Sequence, residues 1–190
     1  FLGEGSQSLL YDVCRLFLEP GDRVTGIGPC YAEFASDVGM WGAEYDFVPL
    51  RPENRFRFDP EEMLAHIGQQ HKLVYIDSPN NPTGQLAEPA LVEALLRRCE
   101  AVGAVLAVDE CFLDFLPEGE GLSAKHLLKN SKKLIILKAF TKLYGMAGVR
   151  LGYCLCSDTE LLARMQAGGQ PWAVSSLAQA AGIAALDETE

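Results

Sequence analysis

Short apolar runs alternate along this chain with stretches whose apolar residues recur at helical spacing. The runs Leu73 to Asp77 and Ala104 to Val108 are typical of strands buried on both faces. Between them, Glu88 to Val102 repeats apolar residues at intervals that suit a helix, and Gly103 ends it. We therefore predict an α/β fold of three layers, α/β/α, with a mainly parallel central sheet.

The other predicted elements continue the same alternation. Apolar runs predict strands over residues 23–27, 44–49, 134–137 and 151–156, and helical spacing predicts helices over 8–18, 31–41 and 175–186. Asp59 and Asp158 are predicted to begin two further helices as N-cap residues. Ligands of such sheets bind beyond the carboxyl ends of the strands, so the residues that follow the strands are the candidates for a site.

Composition narrows the class of protein. The chain has 190 residues, 48% of them apolar, and a formal net charge of −10. This length suits one substantial core, and the negative charge disfavours a nucleic-acid partner. No apolar stretch reaches the ~18 residues of a membrane helix, and no signal peptide is visible. We expect a cytoplasmic protein without a membrane partner or a metal site, and with six reduced cysteines: Cys14, Cys30, Cys99, Cys111, Cys154 and Cys156.

A single lysine, Lys142, lies in an otherwise almost uncharged stretch from Ala139 to Tyr153. Apolar neighbours and a nearby cation both lower the pKa of a lysine, which suits an amine that must lose its proton and react with a carbonyl. Arg150 follows eight residues later and offers a permanent cation for a phosphate. A Schiff-base lysine beside a phosphate anchor indicates pyridoxal 5′-phosphate (PLP).

The segment 77–84, with sequence DSPNNPTG, follows the strand predicted at Leu73. Two prolines and a glycine favour a rigid turn, which can hold the Asn81 amide as a hydrogen-bond donor. Taken alone, each part of this segment could equally well belong to a turn that is selected only for its shape. The complete string of eight residues is far more specific.

Asp109 ends the fully apolar run from Ala104 to Val108. A carboxylate at the end of a buried strand is unfavourable unless it is paired. A pyridinium nitrogen would be such a partner, and keeping that nitrogen protonated makes PLP an electron sink. The alternative is an aspartate that caps a loop or binds a backbone amide.

The segment 3–7, with sequence GEGSQ, precedes the first predicted helix. Its glycines leave backbone N–H groups free to face an anion, and the helix dipole adds to this. The segment differs from a dinucleotide-binding fingerprint because the third glycine is missing and no strand is predicted before it. Tyr31 follows a predicted strand and either stacks on a flat ring or packs in the core. The three histidines lie in segments that are predicted to be at the surface, and we assign no role to them: His66, His71 and His126.

Together these pieces resemble the large domain of the fold-type I, aspartate-aminotransferase-like PLP enzymes, and the motif order agrees over essentially all 190 residues. By that resemblance the catalytic residues are Lys142, which forms the Schiff base, and Asp109, which pairs with the pyridinium nitrogen. Asn81 would donate to the phenolic oxygen of PLP, and Tyr31 would stack on its ring. The resemblance assigns the phosphate to Gly5, Ser6, Gln7, Thr141 and Arg150.

Two positions depart from this pattern. Phe112 stands where many relatives carry a tyrosine that donates to the phenolic oxygen, so we expect a raised pKa of the Schiff base. Ala139 stands where relatives often have Ser or Thr, which removes one phosphate hydrogen bond at a cost of roughly 1 kcal/mol.

Within the superfamily, the sequence is most similar to histidinol-phosphate aminotransferases and threonine-phosphate decarboxylases. The segments 109–115, 141–144 and 171–175 look more like the decarboxylase branch, a lyase branch of cobalamin biosynthesis. The expected substrate is a small, phosphorylated amino acid or amine. In transamination Lys142 would act as general base at the substrate Cα; in decarboxylation it would return a proton to that carbon.

Family members are considerably longer than this chain. They have an N-terminal arm and a C-terminal small domain that binds the substrate carboxylate, so residues 1–190 are expected to be an incomplete PLP-binding large domain. Relatives are dimers with shared sites, and we expect a homodimer. Without the missing parts we expect weak or absent turnover. The alternatives of another class are a truncated PLP-binding module and a nucleotide-binding α/β domain.

Overall fold

The chain is described here by a computed structural model, which covers residues 1–187. Residues 188–190, which the predicted domain includes, lie outside the described residues. The described part of the chain contains a seven-stranded sheet. Its strands are β1 (Leu2–Gly3), β2 (Arg23–Gly28), β3 (Glu44–Pro49), β4 (His71–Asp77), β5 (Val105–Asp109), β6 (Leu134–Ala139) and β7 (Gly152–Cys156).

The sheet is mostly parallel. Its strand order is β1-β7-β6-β5-β4-β2-β3. The five strands from β2 to β6 are parallel to one another, whereas β7 and β1 extend the β6 edge in antiparallel orientation. The carboxyl ends of β2, β4, β5 and β6 therefore meet at one edge, as the predicted fold requires.

Helices cover the sheet, and their ends agree with the local sequence signals. Asp59 and Asp158 accept backbone N–H bonds as N-cap residues, and Gly103 ends its helix with a φ of 85°, a conformation that favours glycine. The α-helices are α1 (Ser6–Phe17), α2 (Ala32–Met40), α3 (Pro60–His66), α4 (Pro89–Val102), α5 (Gly119–Leu122), α6 (Thr159–Gly168) and α7 (Ser176–Asp187). Shorter 3₁₀ helices span Pro52–Asn54, Leu113–Phe115, Ala124–Lys129 and Ala147–Val149.

Two apolar cores lie on opposite faces of the sheet. Along β4, Val74 and Ile76 pack in the core that contains residues of α3 and α4. The alternate residues Leu73 and Tyr75 pack in the core that contains residues of α1, α2 and α6. This alternation is the two-residue period of a strand buried on both faces. The three-layer arrangement that the sequence predicts is confirmed.

The prediction that no strand precedes the glycine-rich segment is wrong. Leu2 and Gly3 form β1, which pairs with Tyr153 and Gly152 of β7. Two residues are too few to show a period of apolar residues, and the partner lies about 150 residues away along the chain. This strand places the segment beside β7 and so fixes where α1 begins.

Two predictions from composition can be compared with the structure. All six cysteines are free thiols, as predicted. Among residues 1–187, no helix combines the length and apolar character that crossing a bilayer requires.

Candidate active site

A cavity of about 150 Å³ lies at the carboxyl edge of the sheet. Asp77, Pro79, Cys111 and Phe112 form part of its wall. Of the predicted site residues, Gly5 alone is not in the wall, and it directly precedes Ser6. The structure thus brings together segments far apart in sequence, and the wall includes Ser6, Gln7, Tyr31, Asn81, Asp109, Thr141, Lys142 and Arg150.

Asp109 is the last residue of β5 and is buried. One carboxylate oxygen accepts the backbone N–H of Cys111 at 2.9 Å, and the other accepts the hydroxyl of Tyr75 at 3.3 Å. Burial raises the pKa of Asp109, although these donors oppose the rise. Among the described residues Asp109 makes no ion pair, so a cationic ligand group in the cavity would find an uncompensated carboxylate there.

Asp77 is a site residue to which the sequence reasoning assigned no role. It ends β4 beside Asp109 in the sheet register, and its carboxylate accepts the backbone N–H groups of Tyr31 and Asn81, each at 3.0 Å. Burial is the main reason that the pKa of Asp77 rises to about 6. Its place in a polar string at the end of an apolar run was the available signal, but its partner Tyr31 is 46 residues away.

The amino terminus of α1 forms an anion-binding corner. Gly5 precedes the helix with a φ of 83°, and the first turn carries no acidic side chain. The free N–H groups and the dipole of this 12-residue helix favour an anion. Arg150 lies directly above: a Cβ on Gly5 would be 2.5 Å from its Nη2 atom, so a larger residue would occupy this space. Its Nη2 also donates to the carbonyl oxygen of Glu4 at 3.2 Å.

The side chain of Gln7 is engaged elsewhere. Its Nε2 donates to Asp37 at 2.9 Å. The part of Gln7 in an anion site is therefore restricted to its backbone N–H, at the start of α1.

Lys142 lies in the loop after β6, and its side chain is exposed. Its apolar sequence neighbours therefore do not bury it, contrary to the expectation from the sequence. Its amine nevertheless faces the cavity, where Nζ lies 5.3 Å from the centre of the Phe112 ring. Thr141, half-buried, lines the same wall.

A second lysine, Lys138, anchors the loop that carries Phe112. Lys138 is 1% exposed, and its Nζ lies 2.6 Å from Asp114 and 3.5 Å from Glu110. Glu110 also accepts the Ser123 hydroxyl at 2.7 Å. The sequence gives no indication of this network, because a lysine within a strand does not reveal which carboxylates it will contact in the folded chain.

The sequence places all three histidines in surface segments, and for His71 this is wrong. His71 opens β4 and is buried, with Nε2 3.1 Å from Asp46 Oδ1. His66, at the end of α3, places its Nε2 2.9 Å from the same oxygen. The cluster lies toward the amino ends of the strands, away from the cavity.

This cluster offers three potential metal-ligand atoms within 4.8 Å of one another. Hydrogen bonds account for it without an ion. The N–H of Gly68 donates to Nδ1 of His71 at 3.0 Å, so neutral His71 carries its proton on Nε2, toward Asp46. Arg23 pairs with the same carboxylate. A metal ion needs a free lone pair on histidine and an unpaired carboxylate charge. Here the Nδ1 lone pair of His71 and the charge of Asp46 already have partners.

The sequence matches the family described as aminotransferase class I and II over residues 1–190. The chain belongs to this family. Its relatives include the histidinol-phosphate aminotransferases of Geobacillus sp. (strain WCH70), 35% identical over 98% of this chain and 50% of the relative, and of Bacillus subtilis (strain 168), 32% identical over 98% and 51%. The chain spans about half the length of the curated relatives it matches.

Solved aminotransferase structures share this fold. The histidinol-phosphate aminotransferase from Clostridium acetobutylicum matches with a TM-score of 0.88 and 28% identity, over 100% of this chain and 54% of that chain. An aspartate aminotransferase of Thermus thermophilus, tetra mutant 1, matches with a TM-score of 0.88 and 28% identity, over 98% and 51%. These likenesses confirm the predicted fold class.

Class I and II aminotransferases use PLP, the cofactor that the sequence predicts. The cavity fits this cofactor chemically, because it offers opposite charges at separate places. Helix N–H groups and Arg150 suit a phosphate, and buried Asp109 suits a protonated ring nitrogen. Lys142 supplies an amine for the aldehyde. The individual roles of these residues stay predictions.

Proposed function

We propose that this chain is the PLP-binding part of an aminotransferase, with Lys142 as the Schiff-base lysine. The observation that carries the proposal is the shared cavity wall: an amine, a buried carboxylate without a cation and the start of an uncapped helix face one space. Each of the three matches a different functional group of PLP. PLP when bound would supply an electron sink for bond breaking at the substrate Cα.

The phosphate would be held by Gly5, Ser6, the backbone of Gln7, Thr141 and Arg150. Helix N–H groups and a guanidinium are both strong partners of a phosphate. Arg150 would be oriented by its bonds to the carbonyl oxygens of Glu4 and Ala147, at 3.2 and 2.9 Å.

The ring would be held by Asp109, Asn81 and Tyr31. Asp109 would keep the ring nitrogen protonated, Asn81 would donate to the phenolic oxygen, and Tyr31 would stack on the ring. Phe112 lines the cavity where many relatives present a tyrosine, so Asn81 carries the phenolic oxygen without that second donor. Ala139, buried at the end of β6, offers no hydroxyl to the phosphate.

Lys142 would hold and move the proton at the substrate Cα. Lys142 is exposed to solvent and lines the cavity, so a substrate amino group could reach and replace its amine. A flexible exposed lysine can reach both the cofactor and the substrate carbon, which a lysine locked in an ion pair could not. Lys138, held by Asp114 and Glu110, illustrates the latter case.

We infer a small phosphorylated amine or amino acid as the substrate. The named relatives are histidinol-phosphate aminotransferases, so transamination of a histidinol-phosphate-like amine is the better supported reading. The resemblance of segments 109–115, 141–144 and 171–175 to threonine-phosphate decarboxylases has no support from these relatives and stays a prediction. A homodimer in the cytoplasm completes the proposal.

Borohydride trapping tests the cofactor assignment. PLP is added to the chain, the mixture is reduced, and tryptic peptides are mapped by mass. PLP should be found on Lys142, with none trapped in Lys142→Ala, because only a Schiff base is fixed by reduction. The proposal would be refuted if PLP were trapped on another lysine. It would also be refuted if no visible absorbance band appeared, which is the result expected of a nucleotide-binding domain.

A second assay addresses the reaction. Histidinol phosphate is offered with 2-oxoglutarate, and phosphothreonine is offered while carbon dioxide is followed. Glutamate formation from the first pair supports the aminotransferase, whereas carbon dioxide release from phosphothreonine supports the decarboxylase. PLP trapped on Lys142 without turnover of either substrate would support the truncated module.

A further inference from the structure

Asp77 joins two segments that form different parts of the cavity wall. It is the last residue of β4 and is 3% exposed. Its Oδ2 atom accepts the backbone N–H of Tyr31 and the backbone N–H of Asn81, each at 3.0 Å. One oxygen therefore sets the separation between the segment that follows β2 and the turn that follows β4.

Asn80 makes a second link between the same segments. Its Nδ2 donates to Oδ1 of Asp77 at 2.7 Å and to the carbonyl oxygen of Pro29 at 3.0 Å. Its Oδ1 accepts the backbone N–H of Thr83 at 3.1 Å, which fixes the orientation of the amide. Asp77 is thus held in place on its other oxygen, and its Oδ2 is presented to Tyr31 and Asn81.

The shape of the turn alone does not explain a carboxylate at this position. A neutral acceptor oxygen could bind the same two N–H groups, whereas a buried carboxylate is unfavourable without a cation. Asp77 makes no ion pair among the described residues, and it lies opposite Asp109 in the register of β4 and β5. Two carboxylates therefore stand side by side in the wall of one cavity.

Resting on the proposed PLP function, we propose that Asp77, oriented by Asn80, is a positioning residue that holds Tyr31 and Asn81 at the spacing the cofactor ring requires. Asp77 acts through these two residues. Its negative charge also lies next to Asp109 and adds to the attraction for a protonated ring nitrogen.

The test compares Asp77→Asn with the wild type and with Asp158→Asn. Asp158 is a matched control, because it also accepts two backbone N–H bonds, those of Glu160 and Leu161, but it lies at the start of α6. PLP affinity is measured by titration, and the ionisation midpoint of the Schiff base is read from the visible absorbance as pH varies. Far-UV circular dichroism checks that each variant is folded.

We expect Asp77→Asn to weaken PLP binding about tenfold to a hundredfold. Asn has one acceptor oxygen where Asp77 uses two, so its NH2 group must face either the backbone N–H groups of Tyr31 and Asn81 or the Nδ2 of Asn80, and the hydrogen bonds on that side are lost. The midpoint should move to higher pH, because Asn81 is no longer held as a donor to the phenolic oxygen. In an Asn81→Ala background the same change should move the midpoint no further. Asp158→Asn should behave like the wild type in both measurements.

The outcomes separate the two proposals. If PLP is not trapped on Lys142 of the wild type, both fail. If it is trapped, but Asp77→Asn keeps wild-type affinity and midpoint, only the role of Asp77 fails. If Asp77→Asn does not fold, Asn80→Ala replaces it: a smaller change in the same direction supports the link, and wild-type values overturn it.

Discussion

Aspartates near the two ends of the sheet have pKa values that are shifted in opposite directions. At the amino end, burial opposes ionisation of Asp46, but hydrogen bonds from His66 and His71 outweigh it and hold the pKa of Asp46 below its ordinary value. At the carboxyl end, burial raises the pKa values of Asp77 and Asp109, and hydrogen bonds from neutral donors oppose the rise without outweighing it. Residue type is the same at both ends, so the partners decide the direction.

This difference distinguishes a cluster whose charges are already paired from a site that can still bind a charged ligand. Asp46 pairs with Arg23 and two histidines, so little is gained from a further ligand. Asp109 makes no ion pair among the described residues, and buried titratable groups of this kind concentrate where proteins bind and transform ligands. Electrostatics alone therefore indicates the carboxyl edge as the candidate site, independently of the family to which the chain belongs.

The largest expected effect concerns Lys138, a buried cation near the carboxyl end of β6. Lys138→Met leaves Glu110, which is 2% exposed, without its ion-pair partner. We expect the free energy of unfolding to fall by about 3–5 kcal/mol, as for other broken buried pairs. Urea denaturation at neutral pH measures it.

The matched control is Lys125→Met, which removes a surface pair with Glu120. This change should cost no more than about 1 kcal/mol. Adding Glu110→Gln to Lys138→Met should recover part of the loss. An equal, small effect of the two lysine changes would show that the network around Glu110 does not depend on the cation.

A smaller effect is expected in the pH dependence of Asp77→Asn. The folded-state pKa of Asp77 is raised from 3.8 to about 6, so between these values the folded protein binds more protons than the unfolded chain. Wild-type stability therefore falls as pH rises through this window, and the variant lacks that decline. Relative to the wild type, the variant should gain about 1–3 kcal/mol between about pH 4 and about pH 6.

Urea denaturation of both proteins across this window measures the difference, in which the carboxylates distant from Asp77 cancel. A difference that does not change with pH would show that Asp77 titrates like an exposed aspartate. It would also remove the electrostatic contrast between this end of the sheet and the other.

The smallest effect, with the opposite sign, is expected for Asp46→Asn. The lowered pKa of Asp46 means that its contribution to stability is present above the ordinary carboxyl pKa and is lost as pH falls through the folded value. The variant should be less stable by about 1–2 kcal/mol at neutral pH, and the deficit should shrink below about pH 4. Thermal unfolding at several pH values checks this; a deficit that grows in acid would contradict the assignment.

Local signals in the sequence were sufficient for most of the fold. Gly103, Asp59 and Asp158 mark helix ends through bonds to residues within a few positions, and they do so in the structure. The site was predictable for a related reason: Asn81 and Asp109 follow apolar runs, and parallel strands bring such positions to one edge. Their roles toward PLP came from the resemblance and remain to be tested.

Long-range contacts were not readable in this way. The burial of His71 depends on Asp46, the position of Tyr31 depends on Asp77, and the strand at Leu2 depends on β7. A carboxylate or an imidazole has the same intrinsic properties in every sequence. Whether it is buried, paired or exposed is set by atoms that arrive from other parts of the chain.

The sequence by itself determined the α/β alternation, the helix ends and the set of residues that follow the strands, because each depends on the periodicity of apolar residues or on neighbours in the chain. Only the tertiary structure decided which aspartates pair with a cation, which lysine is held in ion pairs and which is exposed beside the cavity, and how Asp77 joins two parts of the cavity wall. Burial and charge pairing act through space, so their energies are defined only once the chain has folded.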